Sequence, residues 1–256
     1  MLTKQKLQSI KILHEKKGRD EEGKFILEGW KSVEEALNAG IEIETVIYNP
    51  QKVENESVLS KLQHYAGEMF PVKPKELEFL SDAVTPQGII AVLPRFSRTR
   101  KITAILQQPS AVVVVLDRLS DPGNLGTIIR TCDWFGVDAL VIGQNSVDLY
   151  NPKVVRSSMG SMFHIPIIDE VNLNNFLSVC HQDKFTIYST ELDKSVSLRG
   201  ISFSKKTALI IGSESHGVSS EVSKLADKKV HIPQFGKAES LNAAMACGIF
   251  LSHIKL

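Results

Sequence analysis

The chain has 256 residues, 43% of them hydrophobic, with 30 Lys and Arg against 29 Asp and Glu. This suits one large or two modest globular domains and excludes a disordered chain. The longest apolar runs, Ala111 to Leu116 and Ala243 to Leu251, fall well short of the ~20 residues that span a bilayer, and the opening lacks an apolar signal core, so a soluble cytoplasmic protein without membrane attachment is expected.

The first nineteen residues carry Lys4, Lys6, Lys11, Lys16, Lys17 and Arg19 against Glu15 alone, with Leu7, Ile10, Ile12 and Leu13 near helical spacing. A basic amphipathic helix is predicted, and taken alone its charge is better read as a solvated face than as a nucleic-acid patch. Alternating periods then predict a strand over 24–28, a helix over 32–39, a strand over 43–48, a helix over 58–65, a short strand at 70–72, a helix over 75–81 and a strand over 88–93. Residues 1–96 therefore read as a small α/β domain. The stretch from Pro94 to Lys101 is polar, proline-led and bears four cations, so residues 97–106 are expected to be a basic linker.

The second half opens with Ala111 to Leu116, too apolar for a half-exposed strand and expected to be buried on both faces, as in a parallel sheet. Helices are predicted near 124–135, 152–158, 173–180, 219–225 and 240–254. Strands are predicted over 139–142, 164–168, 185–188, 207–211 and 229–232. This alternation makes residues 107–256 a parallel sheet covered by helices.

In an open α/β sheet, ligands bind beyond the carboxyl ends of the strands, and three such loops are distinctive. The first, Leu116 to Arg130, turns at Pro122 and Gly123 and places Asn124 to cap a helix, with Arg130 about 120° around from it. The second, Ile211 to Ser219, contains Gly212, Glu214, His216 and Gly217; its glycines permit close approach of a ligand. In the third, Ile232 to Asn242, Ser240 is placed to cap the last helix. Walker loops, the dinucleotide fingerprint and the Gly-x-Ser-x-Gly elbow are missing. The three cysteines lie far apart and no two of the seven histidines are spaced i, i+4, so neither disulfides nor a metal site is expected.

Together the loops resemble the SPOUT superfamily of S-adenosylmethionine-dependent RNA methyltransferases, in its SpoU branch that methylates ribose 2′-hydroxyls of tRNA and rRNA. The resemblance rests on Asn124 to Arg130 after Asp121-Pro122-Gly123, on Gly212-Ser213-Glu214, and on Ile232-Pro233 followed by Ser240-Leu241-Asn242. The first domain looks like the small α/β RNA-binding module of rRNA-modifying members, through Phe25 to Gly29 and Val33 to Leu37.

The resemblance implies a parallel-sheet SPOUT domain with a carboxyl-terminal trefoil knot, a homodimer with its site at the subunit interface, and an RNA partner, rRNA over tRNA. It implies S-adenosylmethionine contacts at Thr190, Gly212, Ile232, Ser240, Leu241 and Ala243. Arg130 matches the family's catalytic arginine, and Asn124, Glu214 and Asn242 would position it and the ribose. Ser215-His216 and Ala243-Ala244-Met245 depart from the family pattern.

Two other readings compete. A Rossmann-type methyltransferase would use Val113 to Asp117, but the next strand ends in Gly143-Gln144-Asn145 and lacks the acidic residue that fold uses to hold ribose. A non-catalytic RNA-binding protein would be free to lose Arg130, Glu214, Ser240 and Asn242, and all four are present.

Overall fold

The computed structural model describes residues 2–96 and 99–256, with side chains omitted at 99 and 100. It divides into two units: residues 1–96 with 148–164, and residues 97–147 with 165–256.

The first unit begins with α1 (Lys4–Lys11) and α2 (Lys16–Glu22), the latter ended by Gly23 at φ +64. There follow β1 (Lys24–Glu28), α3 (Trp30–Asn38), β2 (Ile43–Tyr48), α4 (Glu56–Tyr65), β3 (Ala66–Pro71), α5 (Pro74–Leu80) and β4 (Ile89–Pro94). Its four-stranded sheet has the order β1-β4-β2-β3, with β4 antiparallel to both neighbours and β3 parallel to β2. Ile10 and Leu13 pack onto Ile26, Ile47, Ile90 and Val92, so the amphipathic start docks as its spacing predicts.

The second unit opens with α6 (Thr99–Leu106), β5 (Ala111–Leu116), α7 (Pro122–Trp134) and β6 (Ala139–Gly143). The chain then returns to the first unit for α8 (Pro152–Ser158). Back in the second unit come β7 (Ile167–Val171), α9 (Leu173–Gln182), β8 (Thr186–Thr190), β9 (Val196–Ser197), β10 (Lys206–Ile211), α10 (Ser220–Ser223), β11 (Lys228–His231) and α11 (Ala243–Lys255). Seven strands form one sheet, ordered β7-β6-β5-β10-β8-β11-β9, in which every pairing is parallel. β5 and β10 sit at its centre, and all six residues of β5 are buried. A helix-covered parallel sheet is thus what the alternation of elements predicts and what forms.

Two expectations need correction. The segment expected to be a linker folds as α6, whose Ile102, Ile105 and Leu106 are buried in the core of the second unit. Arg98 and the side chain of Arg100, two of the four cations from Pro94 to Lys101, lie outside the described residues. The second unit also does not run unbroken to the carboxyl terminus, because residues 148–164 belong with the first.

Burial removes Arg19 from the amino-terminal basic face. Its side chain is 2% exposed, donates from Nη2 and Nε to Asp148 Oδ2 at 2.6 and 2.8 Å, and from Nη1 to the carbonyls of Leu13 and His14. Lys6 pairs with Glu68, Lys16 with Asp20 and Lys17 with Glu21, which favours the solvated-face reading. Arg19→Met strands a buried carboxylate and two carbonyls, and is expected to lower the stability of the first unit by about 3–5 kcal/mol. Urea unfolding followed through Trp30, 3% exposed in this unit, checks it; an unshifted midpoint would rule out a structural role for the pair.

Candidate functional site

The carboxyl ends of β8, β10 and β11 open into a cleft of about 600 Å³ within the second unit. All six residues expected to hold a cofactor, Thr190, Gly212, Ile232, Ser240, Leu241 and Ala243, line it. Thr190 Oγ1 donates to the Ile210 carbonyl at 2.9 Å, tying the end of β8 to β10. Gly212 leads a tight turn in which the Ser213 and Gly217 main chains exchange hydrogen bonds at 3.1 and 3.0 Å. A Cβ at Gly212 would lie 2.2 Å from Gly217 C and Val218 N, so the turn folds back onto the bare glycine backbone.

A hydrogen-bonded chain of three expected site residues stands beside this turn. Asn242 Nδ2 donates to Asn124 Oδ1 at 2.8 Å, and Asn124 Nδ2 donates to Glu214 Oε1 at 2.7 Å. Ser120 Oγ donates to Glu214 Oε2 at 3.4 Å. Ser120 and Asn124 of the first loop, the latter held by Asn242 of the third, thereby fix the Glu214 carboxylate, which lines the cleft. Asn124, Arg130 and Asn242 are not among the described lining residues. Arg130 lies six residues beyond Asn124 on the exposed face of α7.

Both expected helix caps shift. Asp121, not Asn124, caps α7, its Oδ1 accepting from the Asn124 N–H at 2.7 Å. Asn242, not Ser240, caps α11, its Oδ1 accepting from the N–H groups of Ala244 and Met245 at 3.0 and 3.2 Å. The side chains of Asn124 and Asn242 therefore reach each other, and Asn242 both caps a helix and joins the site network. Asp117, which the sequence marks only as the end of a rival motif, is a further element of the site. It is buried, and its Oδ2 accepts from the Ser219 N–H at 2.6 Å, pinning the second loop to the first.

The cleft's charge narrows what it can hold. Glu191, Asp193, Glu214 and Glu239 line it, and no lysine or arginine does so among the described residues. Burial alone would raise the Glu191 carboxyl, but hydrogen bonds from Lys229, Ser189 and Ser223 outweigh it and hold the group below its ordinary value. With Glu191 already paired to Lys229, the further acidic side chains Asp193, Glu214 and Glu239 and the absence of Lys or Arg from the described walls suit a positively charged ligand and disfavour phosphates. Apolar walls from Val230, Pro233, Ala246 and Phe250, with strand-end main chain, suit a purine. S-adenosylmethionine, with its sulfonium, ammonium and adenine, fits this donor set. Among the described residues, no cluster of three or more His, Cys, Asp or Glu could hold a metal ion, and no helix is long and apolar enough to cross a membrane.

The fold and cleft define a SPOUT-type methyltransferase. The chain superposes on the S-adenosylmethionine-bound rRNA methyltransferase of Sinorhizobium meliloti with a TM-score of 0.88 and 34% identity, covering 99% of this chain and 95% of that one. The SpoU methyltransferase AviRb of Streptomyces viridochromogenes, in complex with the same cofactor, gives 0.86 at 26% identity, covering 98% and 97%. In sequence, the chain is 33% identical to the 23S rRNA (guanosine(2553)-2′-O)-methyltransferase of Bacillus subtilis, over 98% of this chain and 96% of that protein. It is 31% identical to the mitochondrial rRNA methyltransferase 3A of Danio rerio, over 91% of this chain and 64% of that protein. Residues 111–252 match the SpoU rRNA methylase family, and residues 4–91 match the MRM3-like substrate binding domain. The chain belongs to the SpoU rRNA methylase family.

Proposed function

We propose that the protein transfers a methyl group from S-adenosylmethionine to a ribose 2′-hydroxyl of ribosomal RNA, acting in the cytoplasm as a homodimer. The observation that carries this reading is the chain from Asn242 through Asn124 to Glu214, set at a cleft whose charge suits a sulfonium. Bound there, the cofactor supplies an electrophilic methyl. Ile211-Gly212 and Ile232-Pro233 offer main-chain partners and apolar walls to adenine, with Leu241 and Ala243 closing the slot. Glu214 and Asn124 orient the ribose, since a hydroxyl is a poor nucleophile unless held in line. Arg130 grips the substrate phosphate and stabilises charge developing on the 2′-oxygen, while the hydroxyl proton leaves to a phosphate oxygen or water and the sulfonium departs as a neutral thioether.

Residues 1–96, which include the match to a substrate binding domain, are assigned to RNA recognition, and the names of the relatives support rRNA over tRNA. Family resemblance supports a trefoil knot in the carboxyl-terminal region. The dimer is supported by exposed apolar side chains four residues apart on α11, Met245 and Ile249, 62% and 37% exposed, together with Trp134 at 86%. Thr127, Arg130 and Trp134 share the exposed face of α7, so we assign Arg130 to the cleft of a second copy. Mixing inactive Arg130→Ala and Gly212→Ala chains is expected to restore activity, because one mixed site then has both an intact cleft and an arginine. No restoration on verified subunit exchange would place Arg130 at its own cleft.

Asn242→Asp retains the cap acceptor but loses the amide donor to Asn124. Its thermal midpoint should stay within a few degrees of the parent, while methyl transfer falls roughly ten- to a hundredfold, the scale expected from misplacing a reacting group by about an ångström. Undiminished transfer would remove the network from the mechanism. The substrate assignment is tested by mapping 2′-O-methylation in total RNA from cells with and without the protein. One rRNA ribose should lose its methyl group; a loss confined to tRNA would overturn the rRNA assignment.

A further inference from the structure

A second depression, of about 630 Å³, lies in the same unit at the carboxyl ends of β5, β6 and β7. The turn at 213–217 stands between it and the cofactor cleft, and His216 and Val218 line both. The two hollows therefore flank one wall on the carboxyl edge of one sheet, where α/β proteins place their ligands.

The chemistry of the second hollow differs from that of the first. Gln144, Asn145, Asn172 and Asn174 bring four carboxamides to it. The side-chain amides of Gln144, Asn145 and Asn174 make no hydrogen bond among the described residues, so they are available to a ligand as both donors and acceptors. Arg118 is the single Lys or Arg on the described walls, and its Nε lies 3.6 Å from the Asp117 carboxylate. Glu221 adds a second carboxylate. Such a balance offers little to a phosphate and much to a neutral, planar, heteroatom-edged group. Val171 and Val218, both half-buried, supply apolar surface for its faces, while Leu173 and Val222 are themselves buried.

Backbone conformation points the same way. Arg118 stands at φ +55 and Asn145 at φ +63, on loops that flank the hollow. Asparagine enters the left-handed region readily, but arginine does so against steric cost, and such strain concentrates at ligand-binding loops.

We propose that this hollow seats an unstacked nucleobase of the substrate RNA, read by the carboxamides of Gln144, Asn145 and Asn174, with the Arg118 guanidinium against its face. Carboxamides pair with base edges, and single-stranded RNA is read by splaying bases onto such surfaces. The proposal rests on the RNA substrate assigned above.

The test uses the full chain carrying Gln144→Ala, Asn145→Gly and Asn174→Ala together. Glycine keeps the left-handed turn at 145, and Asn172 is left in place because it caps α9. Filter binding of an unmodified 23S rRNA transcript without cofactor should show affinity reduced about tenfold or more. The slope of log affinity against log salt should stay unchanged, since base contacts release no counterions. S-adenosylmethionine binding by calorimetry should match the parent. Unchanged RNA affinity in a variant with parental cofactor binding would overturn the proposal. So would a shallower salt slope, which would mark phosphate contacts instead. If the parent binds the transcript but methylates no ribose, the functional reading fails while the hollow is still judged by the binding comparison.

Discussion

Arg130→Ala is expected to reduce methyl transfer by on the order of 10²–10³-fold, the scale set by removing one donor from a developing oxyanion. S-adenosylmethionine affinity should stay within about twofold, since 1.4 kcal/mol of lost contact is needed for a tenfold change and Arg130 contributes nothing to the described cleft walls. The substitution falls on the exposed face of α7, where alanine is the better helix former. Arg130→Lys separates charge from geometry: lysine keeps a cation but loses the planar fork, and should recover only part of the rate. Initial rates with tritium-labelled cofactor, set beside calorimetry, check both claims. Full transfer by the alanine variant would remove Arg130 from the role assigned to it.

Gly212→Ala is expected to weaken cofactor binding by roughly tenfold to more than a hundredfold. The new Cβ would run into the single peptide group joining Gly217 to Val218, at 2.2 Å from Gly217 C and Val218 N and 2.5 Å from Gly217 O. Main chain cannot rotate out of the way as a flexible side chain can. Relief requires opening the Ser213–Gly217 pair or lifting Ser219 from Asp117, and either deforms the wall that carries Glu214. Overpacking of this kind costs about 1–3 kcal/mol, and spent on cleft geometry it weakens binding roughly tenfold to more than a hundredfold. Gly217→Ala is the control: its Cβ meets nothing within 4 Å, and only the backbone at φ +64 is strained. It should cost about 1–2 kcal/mol of stability and far less affinity. Equal cofactor affinity in the Gly212 variant and the parent would show that the turn is no part of the cleft.

How much of this was legible in the sequence follows from the range of the forces involved. Ala111 to Leu116 announced a strand buried on both faces because continuous apolarity is a local signal. The three loops were legible because proline, glycine and asparagine mark strand ends, and their order matched a family. The caps were harder. Asp121 and Asn124 are both good caps, and the deciding signal was Pro122, which prefers the first helical position and so puts the cap just before it. For α11, Ser240 and Asn242 compete with no proline to arbitrate.

Helix α6 was hidden by the cations around it, although Ile102, Ile105 and Leu106 carry the i, i+3, i+4 spacing of a buried face. Arg19 could not have been foreseen as buried, since its partner Asp148 lies 129 residues away. The return of residues 148–164 to the first unit is equally non-local. The polar hollow beside the cofactor cleft escaped notice because carboxamides on separate loops form no motif until a sheet aligns the loop ends.

The most direct measurement is transfer of tritium from labelled S-adenosylmethionine to unmodified ribosomal RNA by the purified chain, followed by digestion to nucleosides and chromatography. All of the label is expected in one 2′-O-methylated nucleoside, with incorporation at sub-saturating cofactor falling at least about tenfold when Gly212→Ala replaces the parent. Label on a nucleobase, or an unlabelled RNA with a chain that binds the cofactor, would contradict it.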